Sequence, residues 1–339
     1  MVSSSTGSCV SSKGVSSRLL KTSPPQDSKG LVQTIALTRG IPTDSIVVGA
    51  GSSSLIYLAF REWLTKGSRV LLPDPTYGEY AHILDRVIGC RTERLALSRA
   101  NDFRIDVGEL HSRMTQTQYD LVVLVNPNNP TGQLIPRCLL QPILAKVPLR
   151  TCLWVDEAYI DYTGNCESVE QIAAQSLNVV VCKSLSKVYA LSGTRVAYLC
   201  GHSSLMRTLR ALTPPWAVSL PAQVAAVTAL QAQEYYSQCY QETAVLRAAL
   251  VSNLKQAIPT IEVIEGAANS VLCYLPSHGP DADTACKFCR THDVFLRDVG
   301  TTSPLLGRDV LRIAIKDVST NRQIVSILAQ AIQITQSIN

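Results

Sequence analysis

The 339-residue chain has no run approaching 18 apolar residues, so it carries no membrane-spanning helix. Charge is sparse: 31 Lys and Arg stand against 26 Asp and Glu, and no basic block occurs. A surplus spread this thinly fits small phosphate-bearing molecules more comfortably than nucleic acid. No acid precedes Asp27, whereas residues 1–23 hold nine serines with Lys13, Arg18 and Lys21. That stretch has no apolar core, so secretion is not expected. Its composition resembles an organellar transit peptide, the alternative being a poorly ordered arm. Histidine is scarce too: His82, His111, His202, His278 and His292 show no ligand spacing. The eleven cysteines are odd in number and scattered from Cys9 to Cys289, which points to free thiols in a reducing compartment. Cys286-x-x-Cys289 has no second pair and gives no support for a zinc site.

Hydrophobic residues make up 46% of the chain, enough to bury a sizeable core. From residue 40 onward, short apolar runs closed by Pro or Gly alternate with amphipathic stretches. Strands are expected at Ser45–Val48, Val70–Leu72, Arg91–Leu97, Leu121–Val125, Cys152–Val155 and Val179–Cys182. Helices are expected at Ser53–Leu64, Tyr80–Val87, Leu139–Ala145 and Glu167–Ala174. The alternation predicts an α/β fold with a mostly parallel sheet covered by helices on both faces. The strands lack period-two patterning, as expected when both faces are buried. Pro221 to about Leu254 reads as a long helical region broken in rhythm near Gln233. Beyond Pro259, strands at Ile261–Ile264, Ser270–Leu275, Val294–Arg297 and Val310–Ala314, with helices at Ala282–Thr291 and Asn321–Ile332, predict a smaller α+β domain. The expected organisation is an arm over 1–30, a large domain over 31–220, a connecting helix over 221–255 and a small domain over 256–339.

The chemistry-bearing residues cluster at strand ends. Gly49-Ala50-Gly51 precedes Ser52, Ser53 and Ser54 at a helix start, a phosphate-binding arrangement or simply a helix cap. Asn126-Pro127-Asn128-Asn129-Pro130-Thr131-Gly132 follows one apolar strand, and Asp156-Glu157-Ala158-Tyr159 the next. Ser184-Leu185-Ser186-Lys187 follows a third, with Arg195 eight residues after the lysine. Each set lies at the carboxyl end of a strand, where open α/β sheets bind ligands. Singly each has an innocent reading as a turn, a cap or a solvated charge. Four in this order and spacing are hard to dismiss.

Over roughly residues 23–335 these motifs resemble the fold-type I pyridoxal-phosphate aminotransferases, in the branch of histidinol-phosphate aminotransferase and threonine-phosphate decarboxylase. The resemblance implies a seven-stranded-type sheet in the large domain and pyridoxal 5′-phosphate as cofactor. It implies that Lys187 forms a Schiff base with the cofactor aldehyde. Asp156 would pair with the protonated ring nitrogen and keep the ring an electron sink. Asn129 and Tyr159 would meet the ring oxygen, and Tyr77 would stack on the ring. Ser52, Ser53, Ser184, Ser186 and Arg195 would hold the phosphate. Arg312 would grip a substrate carboxylate, and Arg297 would meet a phosphorylated substrate.

The implied activity is transfer of an amino group between an amino acid, possibly histidinol-phosphate-like, and a 2-oxo acid. Decarboxylation of a phosphorylated amino acid and amino-acid cyclisation stay open on the same scaffold, as does a cofactor-binding homologue without turnover. The implied partners are small molecules and a second copy of the chain, with no nucleic acid and no membrane. The implied location is the cytoplasm, or an organelle if residues 1–23 are a transit peptide. Two departures stand out. The family's Asn-Glu-Asn-Pro-Tyr-type loop is replaced by Ser- and Gly-rich sequence before Arg18, and Ser23-Pro24 stands where a Tyr-Pro supplies a cross-subunit phosphate contact. Pro215-Trp216-x-Val218 resembles the decarboxylase sub-branch.

Overall fold

The computed structural model describes residues 17–338. Most of the serine-rich N-terminal arm lies outside the described residues.

Seven strands form one sheet: β1 (Ile46–Gly49), β2 (Arg69–Asp74), β3 (Arg91–Ala96), β4 (Leu121–Val125), β5 (Cys152–Asp156), β6 (Val179–Ser184) and β7 (Ala197–Gly201). Their order is β1-β7-β6-β5-β4-β2-β3. The five strands from β3 to β6 run parallel, while β7 pairs antiparallel with both β6 and β1. β4 and β6 are buried along their whole length, because alternate residues feed two cores. Val122, Leu124, Val179 and Val181 face one core; Leu121, Val123, Val180 and Cys182 face the other. Each fully buried aliphatic side chain contributes about 1.5–3 kcal/mol, so an all-apolar strand is the stable solution where helices cover both faces. β7 was not among the expected strands. It is as long as β4 and β5, and its antiparallel direction comes from a return after the Ser192–Arg195 turn rather than through a helical crossover.

Four further strands form an antiparallel sheet: β8 (Glu262–Ile264), β9 (Ser270–Tyr274), β10 (Arg297–Asp298) and β11 (Val310–Ala314), in the order β10-β11-β9-β8. The strand expected over Val294–Arg297 contracts to Arg297–Asp298. The helices Ala282–Arg290 and Val318–Ile338 cover this sheet over a third core that includes Leu250, Leu254, Leu311 and Leu328. The long helical region is two helices, Leu220–Gln231 and Gln233–Ala257, divided at Ala232 where the expected break in rhythm falls.

The two sheets meet along a seam close to the site. Ala267 N–H donates to the Gly132 carbonyl at 2.8 Å. A Cβ added at Gly266 would lie 2.6 Å from Gly132 Cα, so the two backbones approach this closely only because both residues are glycine. Among the described residues, no helix is long and apolar enough to cross a membrane, and no group of His, Cys, Asp or Glu is placed to hold a metal.

Candidate active site

The carboxyl ends of β4, β5 and β6 converge on a cavity of about 130 Å³. Its lining includes Ser52, Tyr77, Asn129, Asp156, Tyr159, Ser184, Lys187 and Arg312. All eight were singled out from sequence, and they come from six separate segments. A larger cavity of about 480 Å³ lies on the other side of the Lys187 turn, lined by Arg39, Asp161 and four tyrosines, and it holds none of them.

Asp156 ends β5 and is buried. Tyr80 O–H donates to its Oδ2 at 2.7 Å and Ala158 N–H to its Oδ1 at 3.0 Å. Burial lifts the carboxyl above its ordinary pKa, and these two donors pull it back. Among the described residues no cation lies within ion-pair distance of it, so a cationic ring nitrogen fits the position.

Lys187 follows β6 on a single helical turn, Leu185–Val188. Burial holds its pKa below the ordinary lysine value; the Arg312 and Arg195 guanidiniums add to this, and Asp156 opposes them. No carboxylate among the described residues pairs with it. A lysine so placed offers a free amine nearer neutral pH, which Schiff-base chemistry needs.

The loop after β4 is held rigidly by its own amides. Asn126 exchanges two hydrogen bonds with the Ile135 backbone, at 3.0 and 2.8 Å. Asn128 Nδ2 donates to the Pro75 carbonyl at 2.9 Å, and Thr76 Oγ1 donates to Asn128 Oδ1 at 2.7 Å. Asn129 is left to the cavity, where its Oδ1 accepts from Arg312 Nη1 at 2.7 Å. The Arg312 guanidinium also draws the Tyr159 phenol down in pKa, against the upward push of burial. Arg312 therefore reaches from the small sheet into the large one, and among the described residues no carboxylate pairs with it.

The remaining residues divide. Arg195 Nη1 donates to Ser186 Oγ and to the Ser192 carbonyl, both at 3.2 Å. Its guanidinium lies over Gly51, where an added Cβ would come within 2.5 Å of Nη2. Gly51 has φ +92°, a backbone conformation that favours glycine, whereas the Arg195 guanidinium above it is the end of a flexible side chain that a Cβ would push aside. Ser53 is turned elsewhere: its Oγ donates to Glu79 Oε2 at 2.8 Å, and Tyr77 O–H donates to the same oxygen at 2.7 Å. Burial and the Glu79 carboxylate push the Tyr77 phenol upward in pKa. Arg297 is exposed on β10, opposite Arg312 in register but outside the cavity lining.

Sequence reasoning missed Tyr80, Trp154 and Glu79, since tyrosine, tryptophan and glutamate in isolation carry no spacing signal. It also missed a buried ion cluster behind the site. Lys183 Nζ lies 3.1 Å from Glu157, 3.1 Å from Asp161 and 3.3 Å from Glu170. Glu157 follows Asp156 and Lys183 precedes Ser184, so the neighbours of two cavity residues are tied together beneath it.

Residues 13–328 match the family model described as aminotransferase class I and II. The chain belongs to that family. It is 26% identical over 304 residues to histidinol-phosphate aminotransferase of Methanococcus maripaludis, covering 89% of this chain and 80% of the relative. It is 30% identical over 267 residues to histidinol-phosphate aminotransferase 1 of Cupriavidus pinatubonensis, covering 77% and 68%. Among solved structures, the fold is similar to histidinol-phosphate aminotransferase from Clostridium acetobutylicum, with TM-score 0.83, 23% identity and coverage of 94% and 92%. L-threonine-O-3-phosphate decarboxylase from Porphyromonas gingivalis gives TM-score 0.81, 22% identity and coverage of 93% and 92%. The Sinorhizobium meliloti histidinol-phosphate aminotransferase, solved in complex with pyridoxal-5′-phosphate, gives 0.80, 21%, 94% and 84%. The aminotransferase described here is a pyridoxal-phosphate enzyme acting on small amino and 2-oxo acids.

Proposed function

We propose that the aminotransferase moves an amino group between a phosphorylated, histidinol-phosphate-like amine and a 2-oxo acid, and that the residues of the 130 Å³ cavity do the work. Bound there, pyridoxal 5′-phosphate supplies an electron sink conjugated to the substrate nitrogen. Lys187 would hold the cofactor through Nζ and, as a free amine, would be the group that moves the substrate proton. Asp156 would offer an anion to the ring nitrogen, and Tyr77, on the cavity wall, would pack against the ring. Asn129 has its carbonyl committed to Arg312, so its amide donors are what it offers the ring oxygen. Ser52 and Ser184 with the Ser186–Arg195 pair receive the phosphate, and Ser53 joins them by turning from Glu79. Arg312 receives the carboxylate of the amino or 2-oxo acid.

The single observation that carries this reading is Arg312: a cavity guanidinium that donates to the neutral Asn129 amide and pairs with no protein carboxylate among the described residues. A half-buried cation with no protein anion beside it is a ready partner for an anion that arrives from solution. The substrate class is supported by the names of the relatives, which act at comparable length. Arg297, on the same sheet face as Arg312 and exposed, is the proposed contact for the substrate phosphate. A homodimer and a cytoplasmic location complete the proposal, the latter supported by the scattered cysteines.

The test is a panel of amines, histidinol phosphate and phosphothreonine among them, each with 2-oxoglutarate, followed by product mass. Appearance of glutamate with loss of the amine from histidinol phosphate is expected. Release of carbon dioxide from phosphothreonine without glutamate would move the reading to a decarboxylase. A monomeric mass by light scattering with cofactor bound would remove the dimer.

A further inference from the structure

Trp154 and Asp156 lie two residues apart on β5 and therefore project from the same face of the sheet. Between them sits Tyr80, from the short helix Gly78–Ala81. Trp154 Nε1–H donates to the Tyr80 hydroxyl oxygen at 2.8 Å, and the Tyr80 O–H donates to Asp156 Oδ2 at 2.7 Å. Trp154 and Tyr80 are both 0% exposed. An indole N–H can only donate, so it takes an acceptor position on the phenol and leaves the phenol proton directed at the carboxylate. The chain of donors runs one way, and each bond polarises the next.

We propose that Trp154 and Tyr80 are positioning residues that keep Asp156 ionised and aimed into the cofactor cavity. The inference rests on the cofactor site described above and goes beyond it, since neither residue lines the cavity. Its physical basis is the cost of the buried carboxylate. Burial alone favours the neutral acid, and a neutral acid competes with a ring nitrogen for the proton instead of stabilising it there. The surrounding charges do not settle the matter. Glu79 disfavours the anion and Lys183 favours it; Lys187, Tyr77, Tyr159 and Cys182 also feel its field. The short Tyr80 bond acts on one oxygen directly. It leaves Oδ1 held by the Ala158 amide, so the carboxylate plane is fixed at two points.

The experiment uses the full-length chain with carboxyl-labelled aspartate, followed by ¹³C NMR before cofactor is added, with Asp156→Asn to assign the signal. Tyr80→Phe keeps the ring and removes the donor; it should raise the Asp156 midpoint by about one pH unit or more. Trp154→Phe should raise it by less. The double variant should match Tyr80→Phe alone, because Trp154 acts only through the phenol. An unmoved midpoint in Tyr80→Phe, or a full Trp154→Phe effect in the Tyr80→Phe background, would overturn the proposal. If Tyr80→Phe does not fold, 3-fluorotyrosine at position 80 replaces it; the more acidic phenol should lower the midpoint, and no change overturns the idea. Wild-type protein that titrates as expected but fails to take up pyridoxal 5′-phosphate would count against the cofactor site and leave the Tyr80 bond standing.

Discussion

Arg312 Nη1 meets Asn129 Oδ1 at 2.7 Å, joining the middle of β11 in the small sheet to the loop after β4 in the large one. On the proposed reading, a substrate carboxylate arriving at Arg312 would dock on a group already tied to the ring-oxygen side of the site, and substrate binding and ring contact would be coupled through this one bond.

That geometry makes Arg312→Lys informative. Lysine has no planar fork and cannot serve Asn129 and both oxygens of a carboxylate together. Amino-acid binding should weaken roughly 10- to 100-fold, the worth of a lost charge-assisted bond. Cofactor loading should be unchanged. A spectral titration with substrate, run beside a cofactor titration, measures both; equal substrate affinities would take Arg312 out of the site.

Lys187 should capture the cofactor with a pH dependence of its own. Burial and the Arg312 and Arg195 charges disfavour its ammonium form, so the reactive amine appears below the ordinary lysine range. Borohydride trapping of added pyridoxal 5′-phosphate should rise with pH to a midpoint below 10.5. Arg312→Gln removes one repelling charge, and the midpoint should then move up. Lys187→Ala should trap nothing at any pH.

Gly51→Ala tests the floor beneath Arg195. The substitution puts a Cβ 2.5 Å from the guanidinium at a φ of +92°. The strain should lower stability by about 1–3 kcal/mol, read from urea unfolding. Displacing Arg195 from Ser186 should also weaken cofactor binding. A variant with native cofactor affinity would show that the guanidinium is not part of the phosphate cradle.

Lys183→Met should destabilise the protein by about 3–5 kcal/mol, because it strands Glu157, Asp161 and Glu170 together in the interior. Its pH dependence follows from Asp161. Burial alone raises that carboxyl, but Lys183 and Arg39 outweigh it and hold it well below the carboxylate range. A depressed folded pKa gives stability that is present above the unfolded value, about 3.9, and is lost as pH falls through the folded value. The gap between wild type and Lys183→Met in urea midpoints should therefore narrow below about pH 4. A gap that stays constant to pH 2 would mean that Asp161 draws little from Lys183.

What the sequence by itself determined is local. The all-apolar runs at Leu121–Val125 and Val179–Cys182, each closed by polar residues, mark strands buried on both faces and the ends where chemistry gathers. The change of rhythm near Gln233 marks the boundary between two helices. These signals survive in one dimension because periodicity and turn chemistry act over a few residues. The tertiary structure decided the rest. β7 runs against its neighbour, a direction that apolar patterning does not encode. Tyr80 reaches Asp156 across 76 positions, Arg312 reaches Asn129 across 183, and Lys183 finds its carboxylates only after β6 is laid beside β5. Such partners are chosen by burial: once packing removes water from a charge or a polar atom, whichever group lies within hydrogen-bond reach must satisfy it, and separation along the chain ceases to matter.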